Sequence, residues 1–181
     1  MDESGLLMAP LLRRSWAPRG HPAESKHKAG HREKVSVAGA LWLTPRRDRL
    51  ALAYQTLVNG YFTNVEVAEF LSGAVQGLPG PVLALWDRGT MHKGAPIREL
   101  VEQSRGRLDL EPLPPHAPEL MPVEQVWKWL KYDQLCNFAP RDAHDLNAAI
   151  LRELESARED HELLENLFHL SDLPLPRALL S

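Results

Sequence analysis

The chain has 181 residues, a formal net charge of −3 and a single cysteine, Cys136. This length suffices for one hydrophobic core without cross-links, and one cysteine excludes both a disulfide framework and a CxxC zinc site. The longest apolar run of the predicted core, Val82–Trp86, is far too short to span a membrane. The apolar run at 5–12 follows two acids and precedes Arg13 and Arg14, the reverse of a secretory signal. A cytoplasmic protein with no membrane partner is predicted.

The segment from Arg13 to Arg49 is strongly basic, with ten Lys or Arg residues against three acids. A segment of this kind attracts phosphate backbones whatever their sequence. A solvated, flexible loop has the same composition, so charge alone leaves both interpretations open.

Two strands are predicted at Val35–Leu43 and Leu50–Leu57, which are rich in β-branched and apolar residues. The turn residues at 45–48 join them as an antiparallel hairpin. Thr63 lies three residues before Glu66, which is the pattern of a capping box, and apolar residues follow at helical spacing. The sequence therefore predicts a helix that ends near Gly77–Gly80.

Strands and helices then alternate along the chain. The predicted elements are a buried strand at Val82–Trp86, a helix through Ile97 and Val101, a strand at Leu108–Leu110, a proline-rich loop at 112–118, a helix from Pro122, a helix at Arg141–Ala157 and a last helix at Glu159–Leu170. This order predicts an α/β fold with helices on the faces of a mixed sheet. We expect one domain over residues 1–157, with an irregular basic segment at 13–34, and a C-terminal helix and tail at 158–181.

Two carboxylates stand where chemistry is often found. Asp87 ends the buried strand, at the edge where open α/β sheets place their ligands, although Asp is also a good helix cap. Glu124 lies in the first turn of a helix, where the helix dipole and Lys128 four residues on explain an acid equally well.

Two sequence blocks carry a resemblance. Residues 86–93 (WDRGTMHK) and 113–131 (LPPHAPELMPVEQVWKWLK) resemble the Asp-Asn-x-x-x-His and PPYSPELNPIE-x-x-W-x-x-LK blocks of mariner-like bacterial insertion-sequence transposases. The separation of 36 residues between Asp87 and Glu124 is close to the spacing of that family. Upstream, 2–6 (DESGL) and 15–20 (SWAPRG) look like its DE-x-G and WAP-x-G segments. The chain is similar to the DDE superfamily endonuclease domain over residues 2–155.

The resemblance implies a ribonuclease-H-like fold whose catalytic and metal-binding carboxylates are Asp2, Asp87 and Glu124. Two Mg²⁺ (or Mn²⁺) ions are expected, because hard cations prefer oxygen ligands and a pair of them stabilises both the attacking and the leaving oxygen of a phosphodiester. The implied reaction is DNA transposition: nicking at the transposon end, then joining to target DNA. The implied partners are double-stranded DNA and a second copy of the chain, as a homodimer on nucleoid-associated DNA.

The residues expected to contact DNA share a basic side chain: Arg13, Arg14, Arg19, Lys26, Lys28, Arg32, Lys34, Arg88, His92 and Lys93. Arg88 stands where the family has Asn, and a guanidinium there either competes with a metal ion for Asp87 or holds the scissile phosphate. His92 is open to two interpretations, a contact with metal-bound water or phosphate and a hydrogen bond to the backbone at a helix start.

Two further departures favour an alternative. Family analogy puts Asp2 in the middle of the first strand, yet only Met1 precedes it, so a shortened first strand and a missing DNA-recognition region are expected. Met121 stands where an Asn would cap the catalytic helix, at a cost of ~1 kcal/mol. The alternative hypothesis is an inactive, truncated transposase remnant that only binds DNA.

Overall fold

The computed structural model describes residues 1–9, 11, 13, 19, 33–46, 49–87, 89–115 and 117–173. Five strands and five helices are placed within this part of the chain. The strands are β1 (Asp2–Leu7), β2 (Lys34–Leu43), β3 (Leu50–Val58), β4 (Val82–Trp86) and β5 (Leu108–Pro112). The helices are α1 (Asn64–Gly77), α2 (Ala95–Gln103), α3 (Val123–Trp129), α4 (Ala143–Glu159) and α5 (His161–His169).

The first three strands form an antiparallel sheet in the order β1-β2-β3. β1 pairs with β2 over its whole length, with Asp2 opposite Gly39 and Leu7 opposite Lys34. The β2–β3 hairpin is the predicted one, and Thr44 N donates to Arg49 O across its turn.

The other two strands, β4 and β5, form a parallel pair. A hydrogen bond from the Met1 nitrogen to Leu85 O, 2.6 Å long, joins β1 to β4 and so brings the two sheets side by side. β5 extends two residues beyond its predicted end, to Pro112. A proline at the last position of an edge strand removes no hydrogen bond that the pairing needs.

Sequence signals at the helix ends agree with the structure. Thr63 and Glu66 form the predicted capping box of α1. α4 begins two residues later than predicted because the Asp142 carboxylate caps it, accepting from Asp145 N at 2.8 Å. The Asp160 side chain likewise caps α5 and separates it from α4.

Both faces of the antiparallel sheet are buried. The face that we call the α4 side carries Leu6, Val35, Val37 and Leu52, which pack against residues of α3, α4 and α5 such as Trp127, Leu130, Ile150, Leu154 and Leu164. The opposite face, the α1 side, carries Met1 and Ala38, which pack with Phe62, Val67, Phe70, Leu71, Trp86 and Ile97. The predicted α/β class, a mixed set of strands flanked by helices, is confirmed.

One feature at the end of α3 was not predicted. The helix continues as a π turn over Leu130–Gln134, where Leu135 N donates to Leu130 O at 2.9 Å. π turns are rare overall, and those that occur are often found at functional sites. Among the described helices, none is both long enough and apolar enough to cross a bilayer.

Candidate active site

Asp2 lies on the α4 side of β1 and is largely buried. Its Oδ2 accepts a hydrogen bond from Trp127 Nε1 of α3 at 2.9 Å. Burial and the nearby Glu124 carboxylate raise the pKa of Asp2 to about 6, against the lowering effect of that hydrogen bond. An acid held in this way gains from a cation, because a positive charge would offset both burial and repulsion.

Trp127 reaches Asp2 because the residue opposite Asp2 is a glycine. A Cβ built on Gly39 would lie 2.6 Å from Cη2 of Trp127 and 2.9 Å from its Cζ2. The indole therefore occupies the space that any other residue at this position would fill.

Glu124 enters the site from the first turn of α3, half-buried. Its charge acts on Asp2 and on Lys131, whereas Lys128 lies 3.5 Å from Gln125 Oε1. No helix-capping side chain precedes α3; Pro122 is its N-cap and Met121 is buried, so the missing cap predicted at Met121 is confirmed for the described residues.

Lys131 completes this side of the site. Its Nζ donates to Ser4 Oγ at 2.7 Å, and Ser4 lies two residues after Asp2 on the same face of β1. Burial lowers the pKa of Lys131, while Glu124 and Asp2 act to raise it. The π turn carries Lys131, seven residues after Glu124, on the helix face that meets β1.

Asp87 follows the last residue of β4, at the carboxyl end of the parallel pair. Its Oδ1 accepts from Gly89 N at 2.8 Å and lies 2.8 Å from His92 Nδ1. The side chain is 54% exposed. The helix-cap alternative for Asp87 is not found, because Gly89 and Gly94 are the N-caps of the 3₁₀ turn at Thr90–His92 and of α2.

His92 is the most enclosed polar side chain of the site, with 2% of it exposed. Its Nε2 lies 3.1 Å from both carboxylate oxygens of Glu3, and its ring stacks on Trp86 with centroids 4.6 Å apart. Burial lowers the pKa of His92, but the contacts with Glu3 and Asp87 outweigh it and raise the pKa above its ordinary value.

A cleft of about 480 Å³ opens beside these residues, lined by Trp86, Asp87, His92, Lys93, Leu110 and Pro112. Because it lies at the carboxyl ends of β4 and β5, a ligand in it reaches Asp87 directly.

The donor set fits a hard divalent cation, since Asp2, Asp87 and Glu124 offer only carboxylate oxygens. Burial of Asp2 beside a second acid is the electrostatic situation that a cation relieves. As the side chains stand, the described part of the chain contains no group of three His, Cys, Asp or Glu residues close enough to hold a metal ion. Asp2 and Glu124 are brought together, whereas Asp87 is held by His92.

The predicted DNA-contacting residues have different environments. Arg14, Lys26, Lys28, Arg32 and Arg88 lie outside the described residues. Arg13 pairs with Asp133 at 2.8 Å and Arg19 is exposed. Lys34 lies over the ring of Tyr61, and Lys93 is exposed beside the cleft.

His92 differs from these basic residues. Both of its ring nitrogens face protein oxygens, including the backbone oxygen of Asp87 at 3.1 Å, so in this arrangement neither nitrogen is directed to DNA. His92 contacts the Asp87 backbone oxygen, as in the backbone interpretation, and also the carboxylates of Glu3 and Asp87.

Three residues of the site were missed at the level of sequence. Glu3 and Ser4 were not predicted because Asp2 was the only residue of the DE-x-G segment that was assigned a role. Lys131 ends the second motif block, and its spacing of seven residues from Glu124, two helical turns, was the available signal. Glu3 had no comparable signal, because its partner His92 is 89 residues away.

Comparisons with known proteins agree with this geometry. A family model described as DDE superfamily endonuclease matches residues 1–147. No curated protein matches the chain.

Among solved structures, the chain is similar to the Mos1 mariner paired-end complex with Mn, with 15% identity and a TM-score of 0.64 over 93% of this chain and 50% of that chain. It is also similar to the Mos1 transposase paired-end complex with the left transposon end. The identity is 16% and the TM-score is 0.63 over 93% of this chain and 50% of that chain. A third similar structure is the Mos1 strand transfer complex, with 15% identity and a TM-score of 0.61 over 92% of this chain and 49% of that chain. The chain thus spans about half the length of these proteins, and the likeness confirms the predicted ribonuclease-H-like fold.

Proposed function

We propose that this chain, which belongs to the DDE superfamily of endonucleases, is the catalytic domain of a transposase that cuts and joins DNA with divalent metal ions. The observation that carries the proposal is the pairing of Asp2 with Glu124 beside β4, whose carboxyl end bears Asp87. Two-metal phosphodiester chemistry requires clustered carboxylate oxygens, which neighbouring strands and a helix that packs against them can supply.

Asp2, Asp87 and Glu124 would hold the metal ions. When bound, two Mg²⁺ or Mn²⁺ ions activate the attacking hydroxyl and stabilise the leaving oxygen of the phosphodiester. In the first reaction a water oxygen attacks phosphorus and a 3′-hydroxyl is released at the transposon end. In the second reaction this 3′-hydroxyl attacks a target phosphodiester, whose own 3′-oxygen leaves.

The neighbouring side chains have supporting roles in this proposal. Trp127 holds Asp2 in one orientation through the hydrogen bond that its Nε1 donates to Oδ2. Lys131, a half-buried ammonium next to two acids, limits their mutual repulsion before a metal ion binds. Lys93, which lines the cleft, would hold the DNA backbone there, and the basic residues of 13–34 would add contacts with phosphate.

The partners follow from the same chemistry. The proposed substrate is double-stranded DNA, both transposon ends and target, bound by a homodimer in the cytoplasm on nucleoid DNA. The solved complexes of the similar Mos1 protein are named as paired-end and strand transfer complexes, which supports a two-ended assembly.

The test is calorimetric titration of Mn²⁺ into the wild type, Asp87→Ala and Glu124→Ala, with Glu111→Gln as a control on the exposed edge of β5. We expect binding in the wild type and control and its loss in both site variants. A duplex with a transposon end, intact or pre-nicked, then reports cleavage and strand transfer separately. A folded wild type that binds no Mn²⁺ rules the proposal out.

The second candidate is a DNA-binding domain without catalysis. It is favoured by the His92–Asp87 contact and by the absence of a three-acid group among the described residues. It predicts duplex binding of equal affinity with and without Mn²⁺, and no cleavage at any metal concentration.

A further inference from the structure

The pair Glu3 and His92 occupies the opposite side of β1 from Asp2 and Glu124. Glu3 lies on the α1 side, where its side chain is 11% exposed, and both of its oxygens are 3.1 Å from His92 Nε2. A carboxylate is rarely buried without a partner, because the desolvation of an unpaired charge is costly. The imidazole of His92 is that partner.

The other nitrogen of the same ring points to Asp87. Nδ1 lies 2.8 Å from Asp87 Oδ1 and 3.1 Å from the Asp87 backbone oxygen. Both ring nitrogens thus face oxygens that can only accept hydrogen bonds, so both carry a proton and donate. Stacking on Trp86 fixes the plane of the ring.

The two donors to the Asp87 carboxylate converge on one oxygen. Gly89 N and His92 Nδ1 both reach Oδ1, and within the described residues Oδ2 accepts no hydrogen bond. A Cβ added to Gly89 would lie 3.0 Å from this Oδ1, so the backbone at Gly89 packs closely against that oxygen. Gly89 and His92 therefore hold Oδ1, and among the described residues no donor holds Oδ2.

We propose that Glu3 and His92 are positioning residues which hold the Asp87 carboxylate, through Oδ1, in the orientation that presents Oδ2 to a metal ion. The inference rests on the proposed function in that the ligand of Oδ2 is the divalent cation. Hydrogen bonds that orient a metal-binding side chain affect affinity by about 10- to 100-fold.

Two substitutions at position 92 separate the two contacts of the ring. The amide nitrogen of Asn is as many bonds from Cα as Nδ1 of His, so His92→Asn keeps a donor for Asp87. The amide nitrogen of Gln is placed like Nε2, so His92→Gln keeps a donor for Glu3 alone. His169→Asn, an exposed histidine at the end of α5, is the matched control.

Calorimetric titration with Mn²⁺ measures the result. We expect His92→Asn to bind Mn²⁺ within about threefold of the wild type and His92→Gln to bind at least ~10-fold more weakly. Glu3→Gln, which keeps an acceptor for Nε2 but loses the charge, should fall between them. Equal losses in the Asn and Gln variants, at equal thermal stability, would show a structural role only and overturn the proposal.

A second readout does not depend on metal. Buried ring N–H protons held by hydrogen bonds exchange slowly and give separate downfield proton NMR signals. We expect two such signals from His92, the Nδ1 proton shifting in Asp87→Ala and the Nε2 proton in Glu3→Gln. If the wild type binds no Mn²⁺ but both signals respond, the proposed function fails and the hydrogen-bond arrangement stands; if neither signal responds, the arrangement itself is refuted.

Discussion

The contact between Asp2 and Trp127 depends on Gly39, which lies directly opposite Asp2 in the β1–β2 pairing. Gly39→Ala would place a methyl group 2.6 Å from the indole, in a well-packed core where the ring has little room to move. We expect a loss of ~1–3 kcal/mol in the free energy of unfolding. The measurement is denaturant unfolding followed by tryptophan fluorescence.

A control for this variant is Gly73→Ala on α1, where a Cβ meets nothing within 4 Å. This change should stabilise or leave the protein unchanged, because alanine is the better helix former. If Gly39→Ala were as stable as Gly73→Ala, the close packing of Trp127 over the strand would be incorrect.

Asp2 also gives the stability of the protein a dependence on pH. Its pKa is about 6 in the folded protein against 3.8 in an unfolded chain, so the folded state holds the proton more tightly. The contribution of this group to stability is therefore fully present below pH 4 and is lost as the pH rises to about 6, by on the order of 3 kcal/mol.

Asp2→Asn should remove this loss, because an amide keeps an acceptor for Trp127 and has no charge. Unfolding free energies measured without metal from pH 4 to pH 7 should fall for the wild type relative to the variant. Parallel curves for the two proteins over this range would mean that the pKa of Asp2 is not raised in the folded protein.

At the scale of elements, the carbonyl groups at the C-terminal end of α1 are capped by an arginine from another part of the chain. Arg107 donates to the carbonyl oxygens of Val75, Leu78 and Gly80, at 2.7, 2.9 and 3.4 Å. Carbonyl groups at the end of a helix lack partners within it, and a cation there also favours the helix dipole. Arg107 thus fixes α1 to the start of β5.

Replacing this guanidinium with an apolar side chain, Arg107→Met, should cost ~1–2 kcal/mol. Arg98→Met on the exposed face of α2 is the control and should change stability by less than about 0.5 kcal/mol. Hydrogen exchange gives the local readout: amides in the last turn of α1 should exchange faster in Arg107→Met alone.

Most elements could be predicted from sequence because their signals are local. Val82–Trp86 has its predicted bounds, since a short apolar run between Pro81 and Asp87 leaves little freedom. The π turn at Leu130–Gln134 could not be predicted, because a change from i→i+4 to i→i+5 hydrogen bonds leaves no composition signal. Within this turn Lys131 Nζ donates to Ser4 Oγ of β1.

The site was predictable to a different extent. The position of Asp87 followed from its place at the end of an apolar strand, and the resemblance added Asp2 and Glu124. The predicted burial of that strand was wrong, because only Trp86 of β4 is buried and Leu83 is 60% exposed. The pairing of Glu3 with His92 was not predictable, because it depends on which residues of β1 face the α1 side. Which residues of β1 face each side is set by the pairing register of β1 with β2, and a single sequence does not reveal that register.

At the scale of the whole molecule, bound metal and folding should be linked. A ligand that binds only the folded state at 100 times its dissociation constant adds ~2.7 kcal/mol to stability. For a chain of this size the thermal midpoint should rise by ~5–10 °C on addition of saturating Mn²⁺. Scanning calorimetry measures it.

The same experiment has a built-in comparison. Glu124→Gln, which removes a proposed ligand and also a repulsion with Asp2, should melt higher than the wild type without metal and should not respond to Mn²⁺. A rise of equal size in Glu124→Gln and in the wild type would place the bound metal elsewhere.

Two neighbouring acids of β1 serve opposite sides of one sheet: Asp2 meets Trp127, and Glu3 meets His92. Since side chains alternate along a strand, an even or odd count of residues decides which acid meets which partner. Insertion of one residue between Gly5 and Leu6 would exchange the two acids, placing a longer carboxylate under the indole and a shorter one beyond the imidazole's reach. A two-residue insertion would return each acid to its own face but would move it roughly 7 Å along the strand from its partner, so the site fixes both the face and the distance of the two acids from Leu6.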